Sequence, residues 1–238
     1  MNTILILYEI NSILSREVVS KKELKELTLY MHKNNTINYN LDAIQKSRKD
    51  DKGFLIVSNH VCIVSDYTII RGLFDCYTIM VKGLFSKITF FSKKYENNIT
   101  EKCKIIEYMR PTDNDSTTNG KEVKNAVLEK INSGENVLLF PEGKMSGKDF
   151  LHPFKKGIFH LAYDNKVPIL PLVLNYKSEF YSDTECELFR INYHMKDTSG
   201  IDVKVFGFVY PEDFNTFEEF YNYVFSLMSQ YYSTIKSK

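Results

Sequence analysis

The chain has 238 residues and a formal net charge of +1, long enough for one well-filled α/β domain, short for two, and too nearly neutral to bind nucleic acid through its overall charge. Its four cysteines, Cys62, Cys76, Cys103 and Cys186, form no Cys-x-x-Cys pair and no zinc-type spacing with histidine, so no structural metal is expected and reduced thiols are the simplest reading. No stretch approaches the roughly 18 uninterrupted apolar residues of a spanning helix, and Ile4-Leu5-Ile6-Leu7 meets Glu9 too soon, with no basic residues before it, for a signal-peptide core. The expectation is a cytoplasmic protein, peripheral to any membrane it serves.

Residues 1–50 read as a helical preface, in which Leu24, Leu27 and Met31 recur at three- and four-residue spacing, and residues 51–238 as the main domain of a single globular unit. Phe54 to Val57 is a strand, followed by a short helix from near Asp66 to about Phe74 and a strand from Tyr77 to Val81. Lys104 to Met109 is the next strand, ended by Arg110-Pro111 because proline disfavours further pairing. After the polar loop Thr112 to Gly120, a helix buries Val123, Val127, Leu128 and Ile131 and stops at Gly134; Val137 to Phe140 then forms a strand. Gly157 to Asn165 reads as a helix, Val167 to Tyr176 as a buried strand, and Leu188 to Tyr193 and Val203 to Val209 as later strands. A closing helix, Phe217 to Ile235, carries Phe220, Val224, Leu227, Met228 and Tyr231 on one stripe. This alternation predicts an α/β fold with a mainly parallel or mixed central sheet flanked by helices.

Two turns follow apolar, β-prone runs directly: Asn59-His60 after Phe54–Val57, and Phe140-Pro141-Glu142-Gly143 closing the later strand. Buried strands of that kind deliver the polar groups of both turns to one edge of a sheet. Imidazole, with an unperturbed pKa near 6.5, is suited to take a proton from a hydroxyl at neutral pH, and a carboxylate on its other nitrogen fixes the tautomer. His60 and Asp66 are the candidate pair; read alone, they are better explained as a turn cap and a helix N-cap. Cys62, two residues from His60, reads as packing, since adjacency in one turn does not make side chains converge. His152, His160 and His194 read as structural.

Taken in order, Asn59-His60 with Asp66, Glu107-Tyr108-Met109-Arg110, Phe140-Pro141-Glu142-Gly143 and Val167-Pro168-Ile169-Leu170-Pro171 resemble the four sequence blocks of the PlsC-like glycerolipid acyltransferases. That family includes glycerol-3-phosphate and lysophosphatidic acid acyltransferases. Met80-Val81-Lys82 through Ile88-Thr89-Phe90-Phe91, and Phe154-Lys155-Lys156-Gly157 through Leu161-Ala162, are similar to it too, so the resemblance covers roughly residues 50 to 210. It implies that His60 is a general base oriented by Asp66, and that Arg110, Glu142, Gly143 and Lys144 bind the acyl acceptor. It further implies acyl-CoA or an acyl carrier protein as co-substrate, no cofactor and no metal. The acceptor would be lysophosphatidic acid, glycerol-3-phosphate or another lysophospholipid, met at a membrane surface during phospholipid biosynthesis or remodelling.

The chain departs from the family pattern twice. Val61 to Ser65 leave one residue more between His60 and Asp66 than the family's spacing; on a continuous helix this would turn the carboxylate about 100° away, whereas a loop absorbs it in a bulge. Ser65, at the family's spacing, could accept a hydrogen bond from the ring without supplying charge. Met145 stands where the family's Thr-Arg-Ser has its arginine, leaving Lys144 as a less directional cation. These departures motivate a rival reading, a catalytically impaired lipid-binding scaffold; a thioesterase or lipase is a third. Lys82, Lys87, Lys93 and Lys94 around Phe85, Phe90 and Phe91 would suit lipid headgroups, with core packing as the alternative.

Overall fold

The computed structural model describes residues 37–49, 51–61, 63–81, 104–109, 119–147, 149–177 and 200–236. Its strands are β1 (Ile37–Tyr39), β2 (Leu55–Ser58), β3 (Cys76–Val81), β4 (Ile105–Tyr108), β5 (Asn136–Leu139), β6 (Ile169–Tyr176) and β7 (Ile201–Val205). Its α-helices are α1 (Asp42–Ser47), α2 (Ile63–Leu73), α3 (Gly120–Asn132), α4 (Gly157–Asp164) and α5 (Phe217–Lys236). The strands form one sheet in the order β1-β7-β6-β2-β5-β3-β4. β6, β2, β5, β3 and β4 are mutually parallel, β7 is antiparallel to β6, and β1 is parallel to β7. The sheet is therefore mixed, as expected.

Apolar residues on successive strand positions explain its depth. All of β2 is buried, with Ile56 contributing to one core and Leu55 and Val57 to the other, as a period of two requires of a strand covered on both faces. The first core joins Ile56, Leu138, Leu170, Leu172 and Leu174 to Tyr67, Ile70 and Phe74 of α2 and its end. On the opposite face, Val123, Val127 and Ile131 of α3, spaced four apart, meet Leu55, Val137 and Leu139 together with α4 and α5. Pro171 is tolerated inside β6 because the β7 ladder begins one residue later, at Leu172 paired with Val205.

Several boundaries differ from expectation for visible reasons. Ile37–Tyr39, placed within the helical preface, instead forms an edge strand on β7, and Leu41 and Ile44 pack on the first core, so this stretch belongs to the sheet domain. Residues 1–36, like the strand expected at Leu188 to Tyr193 and the Lys82–Lys94 segment, lie outside the described residues. β7 ends at Val205 instead of continuing to Val209: Phe208 N–H donates to Ser47 Oγ at 2.8 Å, and Val209 returns to Ile169 as an isolated bridge. On α5, Tyr221 and Tyr232 are buried while Leu227 and Tyr231 are partly exposed. Both buried tyrosines find backbone acceptors for their hydroxyls, Phe154 O at 2.7 Å and Gly147 O at 3.0 Å.

The sheet edge away from the two turns is tied by charge. Lys104 Nζ lies 3.0 Å from Asp75 and 3.2 Å from Glu135, joining the starts of β3, β4 and β5. Nearby, burial pushes the Cys76 thiol up to about 12, which makes it an inert packing group. Gly53 lets β2 enter beside the turn between α3 and β5: a Cβ there would stand 2.1 Å from Glu135 O and 2.8 Å from Ile131 O, both backbone atoms. Gly53→Ala should therefore destabilise the fold by about 3 kcal/mol, read as a lower urea midpoint; an unchanged midpoint would show that the approach is not a constraint.

Candidate active site

The two turns meet because β2 and β5 are adjacent and parallel, Val57 opposite Leu139, so both chains leave the sheet at the same edge. On the other side of β2, Asn59 continues the pairing with β6 through its side chain. Its amide donates to Leu174 O at 3.0 Å and accepts from Leu174 N at 2.7 Å, satisfying a buried amide and fixing where the next residue begins.

That next residue is His60. Its Nδ1 lies 2.9 Å from Asp66 Oδ2, and Asp66 is fully buried while the imidazole side chain keeps 14% exposure. Oδ2 also accepts from Val61 N at 2.6 Å, and Oδ1 accepts from the Tyr176 hydroxyl at 2.7 Å. An ionised carboxylate can only accept, so the proton in the contact belongs to His60 Nδ1, and Nε2 is left with a lone pair. One ring face stacks on Phe140, with centroids 4.4 Å apart and planes at 23°. Asp66 sets the tautomer and rotation of the imidazole, and Phe140 sets its tilt.

The added residue before Asp66 does not separate the pair. Asp66 lies in the first turn of α2, which begins only at Ile63, so the chain between His60 and the helix absorbs the extra length. Cys62 and the side chain of Ser65 lie outside the described residues.

Ser146 locks the two turns together. Its N–H donates to His60 O at 2.6 Å, while its hydroxyl accepts from His60 N at 3.0 Å and donates to Glu142 Oε1. Glu142, expected among the acceptor-binding residues, is buried and turns inward: Oε1 takes Ser146 and Oε2 accepts from His152 N at 2.7 Å. Burial raises its pKa above the ordinary carboxylate value, against the lowering effect of those donors. Glu142 thus secures the turn, leaving its outer surface to Gly143, at φ +66°, and to the exposed Lys144. Arg110 lies outside the described residues. β4, which leads to it, ends at the same sheet edge and is held by Asn119, whose side chain accepts from Met109 N at 2.7 Å and donates to Glu107 O at 2.9 Å.

Sequence reading brings out His60 and Asp66 but not the roles of Tyr176, Ser146 and Phe140. Tyr176 closes a run of strand residues and carries no local signal of its distant partner; the Ser146 position is visible only as part of the second turn. His152 contributes its backbone, and His160 stacks on Phe217 with centroids 3.6 Å apart, an arrangement of packing helices. Among the described residues no group of three or more His, Cys, Asp or Glu side chains is placed to hold a metal ion.

Comparison with known proteins matches residues 36–175 to the family model described as acyltransferase. Mouse 1-acyl-sn-glycerol-3-phosphate acyltransferase alpha is 45% identical over 49 residues, 21% of this chain and 17% of that protein. The 1-acyl-sn-glycerol-3-phosphate acyltransferase of Cocos nucifera is 46% identical over 54 residues, 23% of this chain and 17% of that protein. The aligned stretches thus span less than a fifth of these curated relatives. The crystal structure of the 1-acyl-sn-glycerophosphate acyltransferase PlsC from Thermotoga maritima superposes with a TM-score of 0.61 at 18% identity, covering 99% of this chain and 92% of that one, a likeness of fold.

Removing the inward carboxylate tests the lock. Glu142→Ala leaves the Ser146 hydroxyl and His152 N–H without their acceptor and should cost about 3 kcal/mol of stability, measured by urea denaturation. A variant as stable as the parent would assign the turn to other contacts.

Proposed function

Because the chain belongs to the acyltransferase family, we propose that it transfers a fatty acyl group from acyl-CoA, or from an acyl carrier protein, to the free hydroxyl of lysophosphatidic acid or a related glycerol phosphate acceptor. The observation that carries this reading is the 2.9 Å contact of His60 Nδ1 with the buried Asp66 carboxylate, which leaves Nε2 as the base of a partly exposed ring.

The acceptor hydroxyl attacks the thioester carbonyl while its proton passes to His60 Nε2, so the new C–O bond forms without a free alkoxide. Asp66 remains ionised and stabilises the imidazolium. The tetrahedral intermediate then collapses with cleavage of the C–S bond, and the leaving thiolate takes the proton back from His60. No acyl-enzyme is required. Tyr176 and Val61 N hold Asp66 on the ring through the cycle, and stacking on Phe140 keeps Nε2 directed at one place.

The acceptor is an amphiphile, which supports action at a membrane surface; among the described residues no helix is long and apolar enough to cross a membrane. A scaffold reading draws on the added residue before Asp66, yet that residue leaves the His60–Asp66 contact in place. A hydrolase would use the same base with water as the acceptor, and product analysis separates the two.

Radiolabelled acyl transfer from long-chain acyl-CoA and from acyl carrier protein to glycerol-3-phosphate, lysophosphatidic acid and neutral or zwitterionic lysolipids should yield a labelled ester. His60→Ala should lower kcat/KM by about a thousandfold with folding intact. Full turnover in that variant would refute the mechanism, and free fatty acid as the only product would make the protein a hydrolase. Tyr176→Phe, which removes one donor to a charged acceptor, should reduce kcat about tenfold with KM unchanged; wild-type kcat would remove Tyr176 from the positioning of the dyad.

A further inference from the structure

The structure assigns Lys155 as the cation that receives the anionic group of the acyl acceptor, a specificity-determining residue seated over the turn that holds the base. The assignment rests on the acyltransferase reading above. Its starting point is an empty side-chain position. Gly143 adopts φ +66°, and a Cβ built on it would stand 2.6 Å from both Cε and Nζ of Lys155. The lysine amine therefore occupies the space that any other residue at 143 would fill, resting directly on the backbone of the second turn.

Two backbone hydrogen bonds fix that placement. Gly143 N donates to Phe140 O at 3.1 Å, closing the turn, and Lys155 N donates to Pro141 O at 2.9 Å, anchoring the returning chain on it. Phe140 is the residue whose ring lies against His60. Base and ammonium thus belong to opposite ends of one four-residue turn, Phe140 to Gly143.

The side chain of Lys155 is exposed, and among the described residues its charge meets no opposite charge. Lys156, next in the chain, is the contrast, held by Glu218 at 2.8 Å. Glu142, the carboxylate within the turn, points inward with both oxygens engaged. Lys144 is exposed, and Met145 adds no charge. The turn thus carries the exposed Lys155 ammonium beside Gly143, a charge complementary to a phosphate monoester, whose oxygens a lysine meets as a point charge.

The test compares wild type with Lys155→Met, Lys155→Arg and, as a control, Lys156→Met, using acyl-CoA with lysophosphatidic acid or with monoacylglycerol of the same chain length. Lys155→Met should raise KM for lysophosphatidic acid about tenfold with kcat little changed. KM for monoacylglycerol and for acyl-CoA should stay put, Lys155→Arg should restore most of the loss, and Lys156→Met should match wild type. An unchanged KM for lysophosphatidic acid, or a rise confined to acyl-CoA and its own phosphates, overturns the assignment. Calorimetric binding of glycerol-3-phosphate separates this inference from the activity. If wild type transfers no acyl group yet binds glycerol-3-phosphate about tenfold more tightly than Lys155→Met, the anion site stands and the acyltransferase reading falls. Equal binding by the two proteins, or none by either, overturns the site.

Discussion

An ionised carboxylate without water costs roughly several kcal/mol unless donors replace its hydration, and Asp66, which has no solvent exposure, is enclosed on that condition. Its oxygens take an imidazole N–H, a backbone N–H and a phenol O–H from two parts of the chain: His60 and Val61 after β2, and Tyr176 at the end of β6. Each donor gains a strong acceptor, and together they leave His60 one orientation. Much else in the fold serves to bring those donors to one point. β6 lies beside β2 so that Asn59 can read its backbone, and β5 lies on the opposite flank so that Ser146 can hold His60 from the other side.

The second turn works differently from the first. Its carboxylate faces into the protein, where Glu142 accepts from Ser146 and His152, so the turn is rigid without presenting acid to its outer surface. Had Glu142 pointed outward it would repel an anionic substrate; inward, it leaves the local field to lysines. The two buried carboxylates, Asp66 in α2 and Glu142 in the second turn, therefore carry distinct duties because one touches the ring of His60 and the other touches only its supports.

Much of this architecture is legible in the residues. Phe54-Leu55-Ile56-Val57 and Val137-Leu138-Leu139-Phe140 are apolar on consecutive positions, as a short strand covered on both faces requires. His60 and Asp66 lie close in sequence, so their pairing can be anticipated. What could not be read depends on long-range partners. Ile37-Asn38-Tyr39 is too short and too polar to announce a strand, and becomes one only because β7, far along the chain, presents an edge to it. The buried face of α5 is rotated toward Tyr221 and Tyr232 because carbonyls of Phe154 and Gly147 wait there for their hydroxyls, and hydrophobic periodicity has no means of weighing such acceptors. Tyr176 is the same problem at the site itself: its aromatic character says strand, while its value lies in one oxygen.

The separation of these partners bears on how the site comes into being. Asn59 finds its backbone partner 115 residues away, Asp66 its phenol 110 residues away, and His60 its serine 86 residues away. Parallel pairings across such distances form late, because loop closure must precede the contacts that reward it. On a ribosome the histidine and aspartate emerge well before β6 exists to insert beside β2. Until it does, the nascent chain holds a carboxylate that is still hydrated and an imidazole free to turn. The surroundings of His60 and Asp66 are therefore complete only once β6 has docked beside β2, which makes their geometry a property of the finished fold and not of the local chain.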